Sequence, residues 1–189
     1  KFFTDSGLAP MGWGLPAAVG ACVANNKKRT ICIAGDGGLQ MNIQELATIM
    51  HNKLPIKLFV LNNGGYLTIK QTQEHSFKGR LMGCNKETGL SFPDILKVAE
   101  AYKIKAIRID NQENLKQKLK EVVGHEGPIV CEIIMDPNQP QIPKVISRKR
   151  PDGKFRSTPI EDMYPYLNRK EFKENMITNR YKKRRKKND

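Results

Sequence analysis

The sequence is poor in the residues that build metal and disulfide frameworks. Its four cysteines are widely spaced, none forms a CxxC pair, and only three histidines occur in 189 residues. This spacing excludes the common zinc motifs, and cysteines within apolar stretches usually behave as small buried hydrophobic residues. We therefore expect free thiols and a reducing, cytoplasmic setting.

Long apolar runs are also missing. No stretch reaches the roughly 18 residues that a membrane-spanning helix needs, so we expect no membrane partner. The opening, KFFTDSGLAP, has neither an initiator methionine nor an apolar segment of signal-peptide length, and it reads as the start of a piece of a longer chain. The hydrophobic fraction of 39% is nevertheless sufficient for a packed core.

Positive charge is abundant, and most of its excess lies near the end of the chain. The formal net charge is +14, but residues 1–143 hold 17 Lys and Arg against 13 Asp and Glu, whereas residues 144–189 hold 16 against 6. A run such as RYKKRRKK (180–187) is most often a solvated, disordered end. This location argues against nucleic acid as a partner, although a nucleic-acid-binding protein that uses the basic tail stays as an alternative.

Apolar strand-like segments alternate with helix-like segments along the first 140 residues. The strands are expected at 2–7, 30–35, 56–63, 104–110 and 128–136. The helices are expected at 14–25, 39–52, 91–103 and 111–124, and a long loop is expected at 64–90. This alternation predicts an α/β domain over residues 1–140, a doubly wound parallel sheet with helices on both faces.

The pattern changes after Pro137, where proline and other turn-forming residues become frequent. We expect residues 141–178 to form an extended C-terminal tail that packs on the domain and ends in a short helix at 169–177. Residues 179–189 are then expected to be a basic, disordered end.

Two glycine-rich turns follow neighbouring strands: GDGG at 35–38 and NNGG at 62–65. Each alone is typical of an ordinary turn, but the spacer between them holds one helix and one strand, which returns the second turn beside the first. Ligands of parallel sheets bind at the carboxyl ends of the strands. The oxygens of Asp36 and Asn63 suit Mg²⁺, which is often shared with substrate phosphates, and the N–H groups of Gly37 and Gly38 suit an anion. Together these residues predict a Mg²⁺–diphosphate site.

The GDG and NN motifs, at this spacing, resemble the cofactor-binding motif of the thiamine-diphosphate-dependent enzymes. The segment SGLAPMGWGLPAAVGA (6–21) resembles the one that precedes this motif in the acetolactate synthase and pyruvate decarboxylase group. The segments LQMNIQELATI (39–49) and LPIKLFVLNNGGY (54–66) are most similar to acetolactate synthase. The resemblance covers about residues 4–136 and implies the C-terminal, diphosphate-binding domain of such an enzyme. It further implies thiamine diphosphate and Mg²⁺ as cofactors, and decarboxylation of a 2-oxo acid such as pyruvate followed by carboligation.

The resemblance also implies a role for individual residues. The metal ligands would be the side chains of Asp36 and Asn63 and the carbonyl of Gly65. Met11 would be the catalytic residue that holds the cofactor bent, and the Ala9 carbonyl would accept a hydrogen bond from its amino group. The remaining cofactor-binding residues would be Gly35, Gly37, Gly38, Tyr66 and Leu67.

Two features of the resembling family have no match in this sequence. The first is the pyrimidine-binding domain with its activating glutamate, so the chain is expected to need such a domain from the same or another chain, in a homodimer or homotetramer. The alternative is the β-type subunit of a split 2-oxo acid decarboxylase. The second is a tryptophan that shapes the acceptor pocket of acetolactate synthases, because that position falls on Thr72 and the only tryptophan is Trp13.

Overall fold

Four parallel strands form the central sheet of the protein. They are β1 (Thr30–Gly35), β2 (Ile56–Asn62), β3 (Lys105–Ile109) and β4 (Ile129–Ile134). Their order in the sheet is β1-β2-β4-β3, and the register pairs Gly35 with Leu61 and Asn62 with Ile134. The carboxyl ends of β1 and β2 are therefore neighbours at one edge of the sheet, as the two glycine-rich turns predict.

Helices connect these strands. In the computed structural model, which describes residues 1–5, 7–149 and 152–176, they are α1 (Gly14–Ala24), α2 (Asp36–Met41), α3 (Glu45–His51), α4 (Leu67–Ser76), α5 (Ile95–Ala101) and α6 (Leu115–Gly124). A short 3-10 turn covers Lys86–Thr88. Within the described ranges no helix is long and apolar enough to cross a membrane.

Apolar side chains pack on both faces of the sheet. Because successive strand residues point to opposite faces, Leu58 and Val60 face one core, formed with α1, α2, α3 and α5. Phe59 and Cys131 face a second, smaller core that is closed by Val122 of α6. The predicted α/β fold, with a parallel sheet covered by helices on both faces, is confirmed.

The helix expected over residues 39–52 is wrong in its extent, because it is two helices. It starts at Asp36 and is interrupted after Met41. The interruption is explained by Asn42, whose side chain donates to the Gly12 carbonyl at 2.9 Å and accepts from Gln44 at 3.1 Å. Such local side-chain bonds compete with helix continuation.

The long loop expected at 64–90 is also wrong, because α4 and the 3-10 turn lie inside it. None of the α4 residues is buried, so α4 lacks the apolar periodicity by which a helix is recognised in a sequence.

Two other helices begin later than expected. Pro93 disfavours helical geometry at the residue before it, and Asp94, not Ser91, caps α5 by accepting from the amides of Leu96 and Lys97. The helix expected from residue 111 begins only at Leu115, after Asn114 in the left-handed conformation.

The first five residues do not form the strand expected at 2–7, and Ser6 lies outside the described residues. Phe2 and Phe3 are largely exposed, so this segment has no burial to stabilise an extended pairing.

The described residues form two compact units, the first ending at Asn138 and the second beginning at Gln139. The second unit contains an unexpected antiparallel hairpin of β5 (Ser147–Lys149) and β6 (Phe155–Ser157), and the helix α7 (Arg169–Asn175). Within it, Arg169 forms a two-point ion pair with buried Asp162, with both N···O distances 2.9 Å. The packing of residues 141–178 on the domain stays a prediction, and residues 179–189 lie outside the described residues.

Candidate cofactor site

Asp36 is the first residue after β1, and it is buried, with 1% of its surface exposed. Its position follows from the sheet register: Gly35 pairs with Leu61, so the next residue on each strand, Asp36 and Asn62, meet at the same edge. A carboxylate is thus held where the chain leaves the sheet, below the NNGG turn.

The NNGG turn is bonded to this carboxylate through its backbone. One oxygen of Asp36 accepts from the amide of Gly64 at 2.8 Å and from that of Gly65 at 3.1 Å. The other oxygen accepts from Gly37 at 2.8 Å. Gly64 is not among the residues that the sequence predicts for the site; its φ of +75° is one that glycine adopts without strain, and it lies within the turn whose two successive amides reach Asp36.

Two opposing effects act on the pKa of Asp36. Burial raises the pKa above its ordinary value and is the larger effect, while the backbone amides of Gly37, Gly64, Gly65 and Asn63 lower it. Among the described residues this carboxylate has no ion pair, and a cation beside it would favour its charged form.

Gly37 lies directly beneath an aromatic ring. A Cβ at this position would lie 2.3 Å from Cε1 of Tyr66, and Tyr66 in turn meets the edge of Phe92 with ring centroids 5.6 Å apart. The glycine is therefore required by close packing between α2 and the residue that precedes α4. By contrast, the nearest atom to a Cβ at Gly38 would be 4.0 Å away.

Gly65 is covered by the polar segment that follows α4. A Cβ at this position would lie 2.2 Å from the Cys84 carbonyl oxygen, and the amide of Tyr66 donates to the same oxygen at 2.8 Å. A cavity of about 390 Å³ opens beside this contact. Its lining includes Asn63, Gly65, Leu67, Lys70 and Lys86.

The segment that contains Ala9 and Met11 reaches the same region from the other side. Gly12 has a φ of +87°, and its carbonyl accepts from Asn42. The Gly12 nitrogen is also the atom closest to a Cβ placed on Gly38. The structure thus brings the turn that follows Met11 beside the first turn of α2. Met11 is 47% exposed, and Ala9 has a φ of +50°.

At this edge of the sheet, the protein atoms that could bind a cation are mainly oxygens. Within the described ranges, no three His, Cys, Asp or Glu side chains come together as a metal cluster. A cation at this edge would depend on the Asp36 carboxylate, on amide and backbone oxygens of the NNGG turn, and on oxygens of the ligand. This donor set fits Mg²⁺ bound together with a diphosphate.

The structure places the two glycine-rich turns together at the carboxyl edge of a parallel α/β sheet. A family model described as "Thiamine pyrophosphate enzyme, C-terminal TPP binding domain" matches residues 1–133. The chain belongs to this family. The resemblance stated from the sequence is confirmed, and so is thiamine diphosphate as the cofactor.

The chain is also similar to acetolactate synthases. It is 36% identical to the acetolactate synthase large subunit of Cyanidium caldarium over 79% of this chain and 25% of that protein. It is 38% identical to the mitochondrial acetolactate synthase catalytic subunit of Saccharomyces cerevisiae, over 76% of this chain and 20% of that protein. It is 36% identical to the acetolactate synthase isozyme 2 large subunit of Escherichia coli, over 72% of this chain and 24% of that protein. The chain thus spans a fifth to a quarter of the length of these relatives.

Proposed function

We propose that this chain is the diphosphate-binding portion of a Mg²⁺- and thiamine-diphosphate-dependent enzyme that decarboxylates a 2-oxo acid such as pyruvate and then performs a carboligation. The similarity to acetolactate synthases supports this reaction class. Thiamine diphosphate supplies the electron sink on which a 2-oxo acid loses carbon dioxide.

The observation that carries the proposal is the pair of hydrogen bonds between buried Asp36 and the amides of Gly64 and Gly65. They join the two glycine-rich turns into one polar edge. In the proposed site, the side chains of Asp36 and Asn63 and the Gly65 carbonyl hold Mg²⁺, which in turn holds the diphosphate.

The other residues would orient the cofactor. Gly35, Gly37 and Gly38 would line the diphosphate, with Tyr66 and Leu67 beside it. Met11 would support the bent conformation, and the Ala9 carbonyl would accept a hydrogen bond. Met11 is 47% exposed, so its side chain is accessible to a ligand.

Partners follow from the same proposal. The enzyme would need a pyrimidine-binding domain, from the same or another chain, within a cytoplasmic homodimer or homotetramer. The short coverage of the relatives supports the need for a further domain, because three quarters or more of each relative lies outside the match.

The test is calorimetric titration of the complete enzyme with thiamine diphosphate, with and without Mg²⁺. Asp36→Ala should abolish Mg²⁺-dependent binding while the circular dichroism spectrum stays unchanged, and Asn63→Ala should weaken it less because a neutral ligand is lost. Asp110→Ala is the matched control, since Asp110 also follows a strand at this edge but is exposed. Unchanged affinity in Asp36→Ala would contradict the metal assignment.

A further inference from the structure

Glu132 is a buried carboxylate in the middle of an otherwise apolar strand. Only 1% of its surface is exposed, and its neighbours along β4 are Cys131 and Ile133. A charge in such a place is costly unless it is paired and hydrogen-bonded. The contacts of Glu132 therefore indicate why it is there.

Two side chains satisfy this carboxylate. One oxygen accepts from Nδ2 of Asn62 at 2.6 Å, and the other accepts from Nε of Arg108 at 2.5 Å. Arg108 extends the chain of contacts to Asp94, the residue that caps α5, at 3.2 Å. The bonds to Glu132 and Asp94 raise the pKa of Arg108 above its ordinary value, so it stays charged.

The bond to Glu132 decides which way the Asn62 side chain faces. An ionised carboxylate can only accept, so Asn62 must present its NH₂ group to it. Its Oδ1 is then directed to the NNGG turn, where it accepts from the Gly64 amide at 3.0 Å. The same amide donates to Asp36 at 2.8 Å. A single side chain, that of Asn62, thus connects Glu132 to the Gly64 amide.

We infer that Glu132 is a positioning residue for the cofactor site: through Asn62, it fixes the NNGG turn in the conformation that binds Mg²⁺ and the diphosphate. The inference rests on the proposed function. Groups that orient metal ligands in this indirect way commonly contribute about 10–100-fold to metal affinity.

Glu132→Gln tests the direction of the bonds with little change in volume. Because Arg108 can only donate, the Gln oxygen stays with Arg108 and the Gln NH₂ faces Asn62. Asn62 must then turn its amide over, which places a donor against the Gly64 amide. Asn62→Asp should also break this bond, because it places a second carboxylate beside Glu132 and removes the NH₂ donor between them.

The double variant Asn62→Asp with Glu132→Gln restores the pattern. The Gln NH₂ donates to the carboxylate introduced at position 62, and the second oxygen of that carboxylate again accepts from Gly64. We expect each single change to lower the Mg²⁺-dependent affinity for thiamine diphosphate by about 10-fold or more, and the double variant to recover most of the loss. The coupling between the two positions is read in a double-mutant cycle, and because affinity is measured on folded protein, a loss of stability alone would leave it unchanged.

The measurement is calorimetric affinity on the complete enzyme, at a temperature where circular dichroism shows every variant to be folded. Glu121→Gln is the control, because it breaks the exposed pair of Glu121 with Lys105 at 3.0 Å, away from Asn62. Should Glu132→Gln not fold, Asn62→Ala decides the question, since it removes the link and leaves the pair between Glu132 and Arg108 in place.

The outcomes separate the inference from the proposed function. If the unaltered enzyme binds the cofactor and Glu132→Gln or the substitute Asn62→Ala binds it equally well, the inference is wrong while the function stands. Single losses without recovery in the double variant would also overturn it. If the unaltered enzyme shows no Mg²⁺-dependent binding, the proposed function fails and the inference fails with it.

Discussion

The carboxylate of Asp36 accepts a hydrogen bond from the backbone amide of Gly64 at 2.8 Å, across 28 residues of sequence. The intervening chain forms α2, α3 and β2 and returns to the same edge of the sheet. The GDGG and NNGG motifs, taken one at a time, are each typical of an ordinary turn. This bond joins them into one site, because it holds the backbone of the NNGG turn against the Asp36 side chain.

Gly37 should not tolerate a side chain, whereas Gly38 should. Gly37→Ala places a Cβ 2.3 Å from the Tyr66 ring, so the ring must move, and overpacking of this kind costs about 1–3 kcal/mol. Gly38→Ala, with its nearest atom 4.0 Å away, should change the free energy of unfolding much less. Urea denaturation measures both, and equal stability of the two variants would contradict the packing argument.

Lys57 should stabilise the fold although it is far from the proposed chemistry. It is fully buried, and its ammonium donates to the carbonyls of His125 and Gly127, both at 2.5 Å. Lys57→Met keeps the volume but leaves two carbonyls without this donor, which should cost about 1–3 kcal/mol.

Lys105→Met is the control for this change, because Lys105 is about half exposed in its pair with Glu121, and exposed pairs contribute about 0–1 kcal/mol. Urea midpoints at constant slope give the comparison. If Lys57→Met is no less stable than Lys105→Met, the buried ammonium is not stabilising.

His125 should make stability depend on pH. Burial lowers its pKa below the ordinary value of 6.5, and Lys105 and Lys57 lower it further, against smaller opposing effects of Glu121 and Glu126. Between the lowered pKa and 6.5 the unfolded chain binds more protons than the folded one, so the free energy of unfolding falls as the pH falls through this window.

His125→Gln should reduce this decrease, and His51→Gln, which changes an exposed histidine, should leave it in place. Thermal unfolding midpoints measured above and below the ordinary histidine pKa, at about pH 7.5 and about pH 5.5, give the difference. An identical decrease in His125→Gln and the unaltered protein would assign the effect to other groups.

The 189-residue chain by itself should not decarboxylate a 2-oxo acid, even with Mg²⁺ and thiamine diphosphate present. The reason is that the family match over residues 1–133 is to a C-terminal cofactor-binding domain, and the chain spans only 25% of the Cyanidium caldarium relative. Carbon dioxide release by the purified chain, with its folding checked by circular dichroism, is the measurement. Turnover well above that of an Asp36→Ala control would show that the chain is catalytically sufficient.

The sequence predicts the sheet well because apolar strands and glycine-rich turns are local signals. It also predicts that the GDG and NN motifs meet, since the carboxyl ends of adjacent parallel strands share an edge. The α4 helix escapes prediction because none of its residues is buried, so its sequence carries no apolar stripe.

The contacts of Glu132 are not predicted from the sequence for another reason: Asn62 is 70 residues away along the chain and Arg108 is 24 residues away. No local pattern encodes such distant pairings. A single charged residue inside the apolar run IVCEII (129–134) is the one signal that could have drawn attention to it, because a buried charge requires partners.

Thr72 should influence which acceptor the proposed enzyme uses. The resemblance to acetolactate synthases places it where they carry a tryptophan, and in the structure it lies exposed on α4, with its hydroxyl donating to the Thr68 carbonyl at 2.8 Å. An indole forms a large, rigid apolar wall, so its absence should leave a wider and more polar pocket that accepts bulkier or more hydroxylated carbonyl compounds. Pocket contacts of this kind discriminate by about 1–3 kcal/mol, so the preference should be partial.

The measurement for Thr72 is a competition assay on the complete enzyme, with pyruvate as donor and 2-oxobutyrate set against larger carbonyl acceptors. Thr72→Trp should shift the product ratio toward 2-oxobutyrate, and because Thr72 is exposed, the indole can be accommodated without displacing the core. Thr72→Val serves as the control. It removes the hydroxyl without adding a large aromatic side chain, so it should change the product ratio less. A strong preference for 2-oxobutyrate in the unaltered enzyme, with no change in Thr72→Trp, would show that residues elsewhere determine the acceptor.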